Sequence, residues 1–233
     1  MAVTGVGSPG GSSDAAAATV VADALGGSLE PEPAAAQTLF GEQIEVVRQY
    51  TRDLAQYGEQ LGLIGPLELP RLWSRHVINS GLLAPLLKPG RVGDIGSGAG
   101  LPGLVLAAAR PDVTMILIEP MERRTDWLRA EADRLGLTNV EVVRARAEEA
   151  DISPWLDQVT ARAVSALSKL IPLTVPLVRT GGEVLFLKGA KVQDEMAAAR
   201  KVIAKHHIID VEILELGIGL VDETTRVFRA TVD

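Results

Sequence analysis

Val92-Gly93-Asp94-Ile95-Gly96-Ser97-Gly98-Ala99-Gly100-Leu101-Pro102-Gly103 is the stretch on which the fold turns. Its first four residues read as a short strand carrying one acid. Glycines then recur at 96, 98, 100 and 103, and Leu104–Ala109 has the texture of a helix. Glycines between a strand and a helix permit positive φ and let backbone approach a ligand closely.

Working outward from that loop, strand and helix alternate. Val113–Ile118 is a continuous apolar run, the mark of a strand buried on both faces. Glu122–Leu135 is helical, and Gly136 ends it. Strands are expected at Val140–Val143, Gln158–Val164 and Glu183–Leu187, with helices from Leu167 to Val178 and from Gln193 to Ala204. Ile208–Leu216 and Arg226–Val232 follow as two strands with no helix between them. Alternation of this kind implies a parallel sheet covered by helices on both faces, and two final strands without a crossover imply antiparallel pairing at the end. Upstream, Phe40, Ile44, Val47, Leu54 and Leu61 recur at helical spacing, and Leu69–Leu87 reads as a second helical stretch.

Residues 1–36 hold four acids, no Lys or Arg, and mostly Ala, Gly, Ser and Pro. Such a segment buries too little to offset its ordering entropy, so a disordered tail is expected there. It lacks the pattern of a signal or transit peptide, and no window is long enough to cross a membrane, so a cytoplasmic location is expected. The domain is expected over residues 37–233, divided into a helical extension (37–90) and an α/β core (91–233).

Composition excludes several classes of function. Cysteine is absent, so no disulfide, zinc-thiolate site, iron–sulfur cluster or cysteine nucleophile exists. Aromatic residues make up 3% of the chain, too few for a base-stacking platform. Net charge is −7, which argues against a general nucleic-acid coat but leaves room for a local basic rim. Lys205-His206-His207 lacks metal-ligand spacing, and no metal is expected. Trp73, Trp127 and Trp155 are read as packing residues.

Two cofactor classes fit the glycine loop. Gly98-Ala99-Gly100-Leu101-Pro102-Gly103 matches the dinucleotide pattern G-x-G-x-x-G, and Glu119 stands where an acid accepts ribose hydroxyls. Asp94 decides between them. At the end of the first strand its carboxylate would repel a pyrophosphate but favour the ammonium of a methionine moiety, so S-adenosyl-L-methionine is the expected cofactor. A nicotinamide-dependent oxidoreductase is the alternative by cofactor. Glu148, beside Ala147 after the third strand, is a candidate for the adenine amine. Arg162 lies at the carboxyl edge of the sheet, where ligands bind.

Absences narrow the acceptor atom. Without cysteine there is no nucleophile for carbon-5 methylation of a pyrimidine. Thr160-Ala161-Arg162-Ala163-Val164 stands where enzymes that methylate exocyclic amines commonly carry an Asn/Asp-Pro-Pro-aromatic loop. A ring nitrogen with a free lone pair, such as guanine N7, needs neither device, so catalysis there can rest on positioning and electrostatics without a general base. Basic residues that could face RNA are Arg71, Arg75, His76, Arg123, Arg124, Lys188 and Lys191.

Trp73-Ser74-Arg75-His76-Val77-Ile78-Asn79-Ser80, the glycine loop through Gly-Leu-Pro-Gly, Ala161-Arg162-Ala163 and Leu187-Lys188-Gly189 follow one another in order. Together they resemble the RsmG, or glucose-inhibited division protein B, family of small-subunit ribosomal RNA guanine-N7 methyltransferases over roughly residues 40–231. The resemblance implies a Rossmann-like class I S-adenosylmethionine-dependent methyltransferase with a mostly parallel seven-stranded sheet and an antiparallel last strand. It implies methylation of N7 of the guanine at position 527 of 16S rRNA, and cofactor contacts at Gly96, Leu101, Ala147, Glu148 and Arg162. With Asp94, Gly98 and Glu119 these form the expected cofactor site. Arg75, His76, Arg123, Arg124 and Lys188 form the expected RNA side. The expected partner is 16S rRNA or the small ribosomal subunit, with a monomer favoured. Asn79 departs from the pattern, since many relatives carry Asp there. A methyltransferase for another RNA, a protein or a small molecule is the alternative enzyme, and a non-catalytic ribosome-assembly factor is the alternative outside enzymes.

Overall fold

The computed structural model describes residues 27–233. Most of the expected tail, residues 1–26, lies outside them. Residues 27–36 belong to the folded domain, which corrects the boundary at 36. Glu30 donates its N–H to the Leu69 carbonyl at 2.9 Å and accepts the Ser74 N–H at 2.9 Å. Glu32 pairs with Arg48 at 2.6 Å, and Ala35 and Ala36 are buried. Small side chains hide this packing from a compositional reading, because their contribution depends on what lies opposite.

Helix α1 spans Ala35–Phe40 and α2 spans Ile44–Tyr57. The next helical stretch is irregular: a 3-10 turn at Leu69–Arg71, a π-helical segment at Leu72–Ile78 and one α turn at Asn79–Gly81. Apolar spacing alone reads as an ordinary helix there. The wider π turn rotates Arg75 and His76 relative to Trp73 and Val77, and such turns recur at functional sites.

The sheet holds seven strands: β1 Gly90–Ile95, β2 Val113–Ile118, β3 Val140–Val143, β4 Leu156–Arg162, β5 Val178–Lys188, β6 Ile208–Leu216 and β7 Thr225–Val232. Their order is β3-β2-β1-β4-β5-β7-β6, and only β7 runs antiparallel to its neighbours. Helices α3 (Gly103–Ala109), α4 (Glu122–Arg134), α5 (Leu167–Thr174) and α6 (Val192–Lys205) connect the strands. Strand β5 begins five residues earlier than its apolar run suggests, pairing Val178 with Leu156 across a bulge. At the end of α4, Gly136 takes φ +66°. The Leu137 N–H then reaches the Ala132 carbonyl at 2.9 Å, closing the last turn.

Two apolar cores flank the sheet. One joins α1, α2, the irregular segment, α3 and α4, and the other joins α5 and α6 to the opposite face. Ile116, Leu117, Leu185 and Phe186 are fully buried between them. Burying each such side chain contributes about 2 kcal/mol, so the central strands are the most firmly held part of the molecule. Strand order reverses between β1 and β4, and the crevice at their carboxyl ends is where such sheets bind ligands.

Candidate active site

At that crevice the chain leaves β1 and turns at once. Gly98 adopts φ +55° and donates its N–H to Oε2 of Glu119 at 3.0 Å. Oε1 of Glu119 accepts the Met121 N–H at 3.0 Å. Each carboxylate oxygen keeps further acceptor capacity, so Glu119 can still take a vicinal diol.

Asp94 lies beneath the loop, wholly buried. Its Oδ2 accepts the Gly103 N–H at 3.1 Å, while Oδ1 has no partner. Burial pushes the Asp94 carboxyl up to about 7, with the nearby Ser97 hydroxyl, the Gly103 hydrogen bond and the positive Arg162 opposing that rise. Position 103 must be glycine for lack of space: a Cβ there would stand 2.3 Å from Leu117 Cδ2 and 2.6 Å from Asp94 Oδ2. The Ala99 carbonyl is held from two sides, by the Tyr50 hydroxyl of α2 at 3.1 Å and by Nε1–H of Trp127 of α4 at 2.9 Å.

Two cavities open on this edge. A smaller one of about 280 Å³ is lined by Gly96, Ser97, Gly98 and Leu101, with Glu68, His76, Arg124 and Arg162 opposite. A larger one of about 780 Å³ is lined by Arg75, His76, Asn79, Arg162, Ser165, Lys188, Lys191, Asp194 and Glu195, among others. His76, Arg162 and Ala163 belong to both. Nη2 of Arg162 lies 2.8 Å from His76 Nδ1, and its Nη1 donates to the Arg75 carbonyl at 3.3 Å. His76 Nε2 lies 2.6 Å from Glu68 Oε2. Ala163, just after Arg162, takes φ +56°, a left-handed turn costing a non-glycine residue about 1 kcal/mol.

Asp94, Gly96, Gly98, Leu101, Glu119 and Arg162 therefore gather around one loop. Ala147 and Glu148 sit in a short 3-10 turn after β3, Ala147 buried and Glu148 exposed, and neither lines the smaller cavity. Of the expected RNA-side cations, Arg75 is half exposed over the larger cavity and Arg124 lines the smaller one. Arg123 lines a separate hollow with Tyr57 and Trp127. Lys188 does not project to solvent: its Nζ donates to the Ser165 carbonyl at 2.6 Å and pairs with Glu195 at 2.9 Å. The buried, paired Lys188 and the hydrogen-bonded His76 differ from the free phosphate contacts that their charge suggested.

The tryptophans need one correction: Trp73 and Trp127 are buried, but Trp155 is 65% exposed, in the connection leading into β4, where no helix covers it. Glu68 and Tyr50 were not legible as site residues. Glu68 precedes an irregular helix, so its distance from His76 follows no fixed period, and Tyr50 reads only as one apolar position of α2.

Residues 43–222 match the family described as rRNA small subunit methyltransferase G. The chain belongs to that family. It is 65% identical to the ribosomal RNA small subunit methyltransferase G of Clavibacter michiganensis subsp. michiganensis over 204 residues, covering 88% of this chain and 97% of that one. The corresponding protein of Leifsonia xyli subsp. xyli is 60% identical, with 88% and 98% covered, and that of Mycolicibacterium smegmatis 44% identical, with 82% and 83% covered.

Solved structures agree on the fold of this methyltransferase. TYW2 of P. horikoshii in complex with MeSAdo superposes with a TM-score of 0.53 at 15% identity, covering 67% of this chain and 62% of that one. The tRNA (m1A58) methyltransferase TrmI of Aquifex aeolicus gives 0.52 at 16% identity, with 66% and 68% covered.

The site suits S-adenosyl-L-methionine on its own chemistry. Asp94 offers a buried carboxylate oxygen with no partner, and Glu119 offers spare acceptors beside the glycine turn. Among the described residues no helix is long and apolar enough to cross a membrane, and no group of three His, Asp or Glu is placed to hold a metal ion.

Proposed function

We propose that this methyltransferase transfers a methyl group from S-adenosyl-L-methionine to N7 of a guanine in 16S rRNA, the guanine at position 527, within the small ribosomal subunit. The observation that carries the reading is Arg162, whose guanidinium lines both the cavity of the glycine loop and the larger basic cavity next to it.

Gly96, Gly98 and Leu101 would hold the cofactor from the loop side, Asp94 its ammonium and Glu119 its ribose. Ala147 and Glu148 would meet the adenine from the turn after β3. When bound, the cofactor supplies a methyl group on a positively charged sulfur. Guanine N7 carries an in-plane lone pair and no proton, so it would accept the methyl group without a general base from the chain. The methylated base would carry a positive charge. Asp194, on the wall of the larger cavity, would complement that charge, while Glu195 is already paired with Lys188. Arg75, Lys191 and Arg124 line the two openings and would meet phosphate there.

Methyl transfer from labelled cofactor to small subunits prepared from a strain lacking this protein tests the proposal. Label in 7-methylguanosine, mapped to one nucleotide of the decoding-site loop, supports it. Cofactor binding with no transfer to any RNA or particle sinks it, and leaves an assembly role for the chain.

A further inference from the structure

Arg162 has no carboxylate within ion-pair distance among the described residues, although it stands between two cavities that Glu68, Asp194 and Glu195 help to line. Its guanidinium is held by two acceptors instead, the Arg75 carbonyl and His76 Nδ1. A guanidinium has donors only, so Nδ1 of His76 must present a lone pair. The ring proton then lies on Nε2, where it donates to Glu68 at 2.6 Å. Glu68 is itself fixed by Arg71, at 2.7 Å. Donation therefore runs from Arg162 through His76 to Glu68, where Arg71 donates from the other side.

We infer that Glu68 and His76 are positioning residues for methyl transfer, orienting Arg162 across the cofactor and substrate cavities only while His76 is neutral and protonated at Nε2. The inference rests on the function proposed above and adds its regulation by protons. A second proton on His76 would turn Nδ1 into a donor facing a donor, and Arg162 would leave its place.

The groups facing His76 divide in sign. Arg162 from β4 and Arg75 from its own segment oppose the charged ring, Glu68 from the preceding turn favours it, and Lys188, Lys191, Asp194 and Glu195 line the far wall of the larger cavity. Burial acts most strongly and keeps His76 below the usual imidazole range. The neutral ring therefore prevails at neutral pH and is lost in acid.

Imidazole nitrogen resonances of the full-length protein give a readout independent of substrate. At about pH 7.5, above an ordinary imidazole, His76 should show an unprotonated Nδ1 and a protonated Nε2. The opposite tautomer, or a charged ring, overturns the inference whatever the substrate is.

Methyl transfer to small subunits is then followed, with cofactor saturating at every pH, from about pH 5 to about pH 8, the range in which His titrates. The wild-type rate should fall on the acid side with the same midpoint as the His76 resonances. His76→Asn keeps an acceptor near the Nδ1 position and cannot titrate, so its acid limb should disappear. His76→Ala should lose roughly tenfold or more in kcat at every pH, the effect of losing an oriented group, with KM for cofactor less changed. Glu68→Gln keeps an acceptor but removes the charge that favours protonation, so its acid limb should move to lower pH. An unmoved limb in both His76→Asn and Glu68→Gln overturns the relay. Absence of transfer by the wild type at every pH counts against the proposed function alone, because the resonances still test the hydrogen-bond chain.

Discussion

Tyr50 and Trp127 donate to the same acceptor, the Ala99 carbonyl oxygen, at 3.1 and 2.9 Å. The glycine loop is thereby tied to α2 and α4 at once. With two donors on one carbonyl, either can be removed without leaving a buried polar group unsatisfied. Tyr50→Phe should cost about 1 kcal/mol in urea unfolding, the ordinary worth of a hydrogen bond. Tyr50→Phe combined with Trp127→Phe should cost more than the sum, since the carbonyl then has neither partner. Strict additivity would show that the shared acceptor is not what holds the loop.

Asp94 supplies a pH dependence for cofactor binding. Its carboxyl titrates at about 7 when burial is its main influence. A bound ammonium would pull that value down, so binding in slightly acid solution expels a proton from Asp94. Affinity should rise up to tenfold per pH unit as pH increases toward about 7. It should fall again above about 8, where an α-amino group loses its charge. The raised value also means that the contribution of Asp94 to stability is present below the ordinary carboxylate range and is lost as pH rises through about 7. Calorimetry in buffers of different ionisation enthalpy counts the expelled proton. Asp94→Asn should weaken binding and remove the slope, and an affinity flat through the acid range would contradict the assignment.

Gly98 and Gly103 should fail differently. A Cβ at 103 meets Leu117 and Asp94, so Gly103→Ala should cost about 2 kcal/mol by overpacking and abolish cofactor binding. A Cβ at 98 has open space, with only the Gly96 carbonyl at 3.7 Å, and its cost is confined to the positive φ, about 1 kcal/mol. Thermal unfolding and cofactor affinity should rank the two in that order.

Glu183 predicts the acid behaviour of the sheet. It is buried on β5 and accepts from Gln158 at 2.8 Å, Arg229 at 2.6 Å and Lys88 at 2.9 Å. Burial raises its carboxyl, but those three partners together hold it below the usual carboxylate value. Its contribution to stability is therefore present above the ordinary glutamate value and lost as pH falls through the depressed one. Glu183→Ala should cost about 1 kcal/mol at neutral pH by removing one acceptor from the Gln158 amide and from Arg229, which keep Leu86 and Glu212. Its deficit should shrink in acid, and a deficit independent of pH would exclude the ionic origin.

The parts of this molecule governed by local pattern are legible in the order of its residues. Val113–Ile118 reads as a buried strand because both its faces are covered, and Asp94 and Glu119 take their places because each ends a strand beside the loop. What local pattern does not reveal depends on partners far along the chain. Arg162 and His76 are 86 residues apart and meet because β4 lies next to β1, while the π turn aims the imidazole. Lys188 reads as a free cation until α6 brings Glu195 beside it. Trp155 has the composition of a core residue but lies where no element passes over it.

Arg162 touches the walls of both cavities, and that shared wall makes their occupants thermodynamically reciprocal. Whatever factor the cofactor contributes to RNA affinity, the RNA must return to cofactor affinity. An RNA seated in the larger cavity therefore alters cofactor retention by the same factor by which the cofactor alters retention of the RNA.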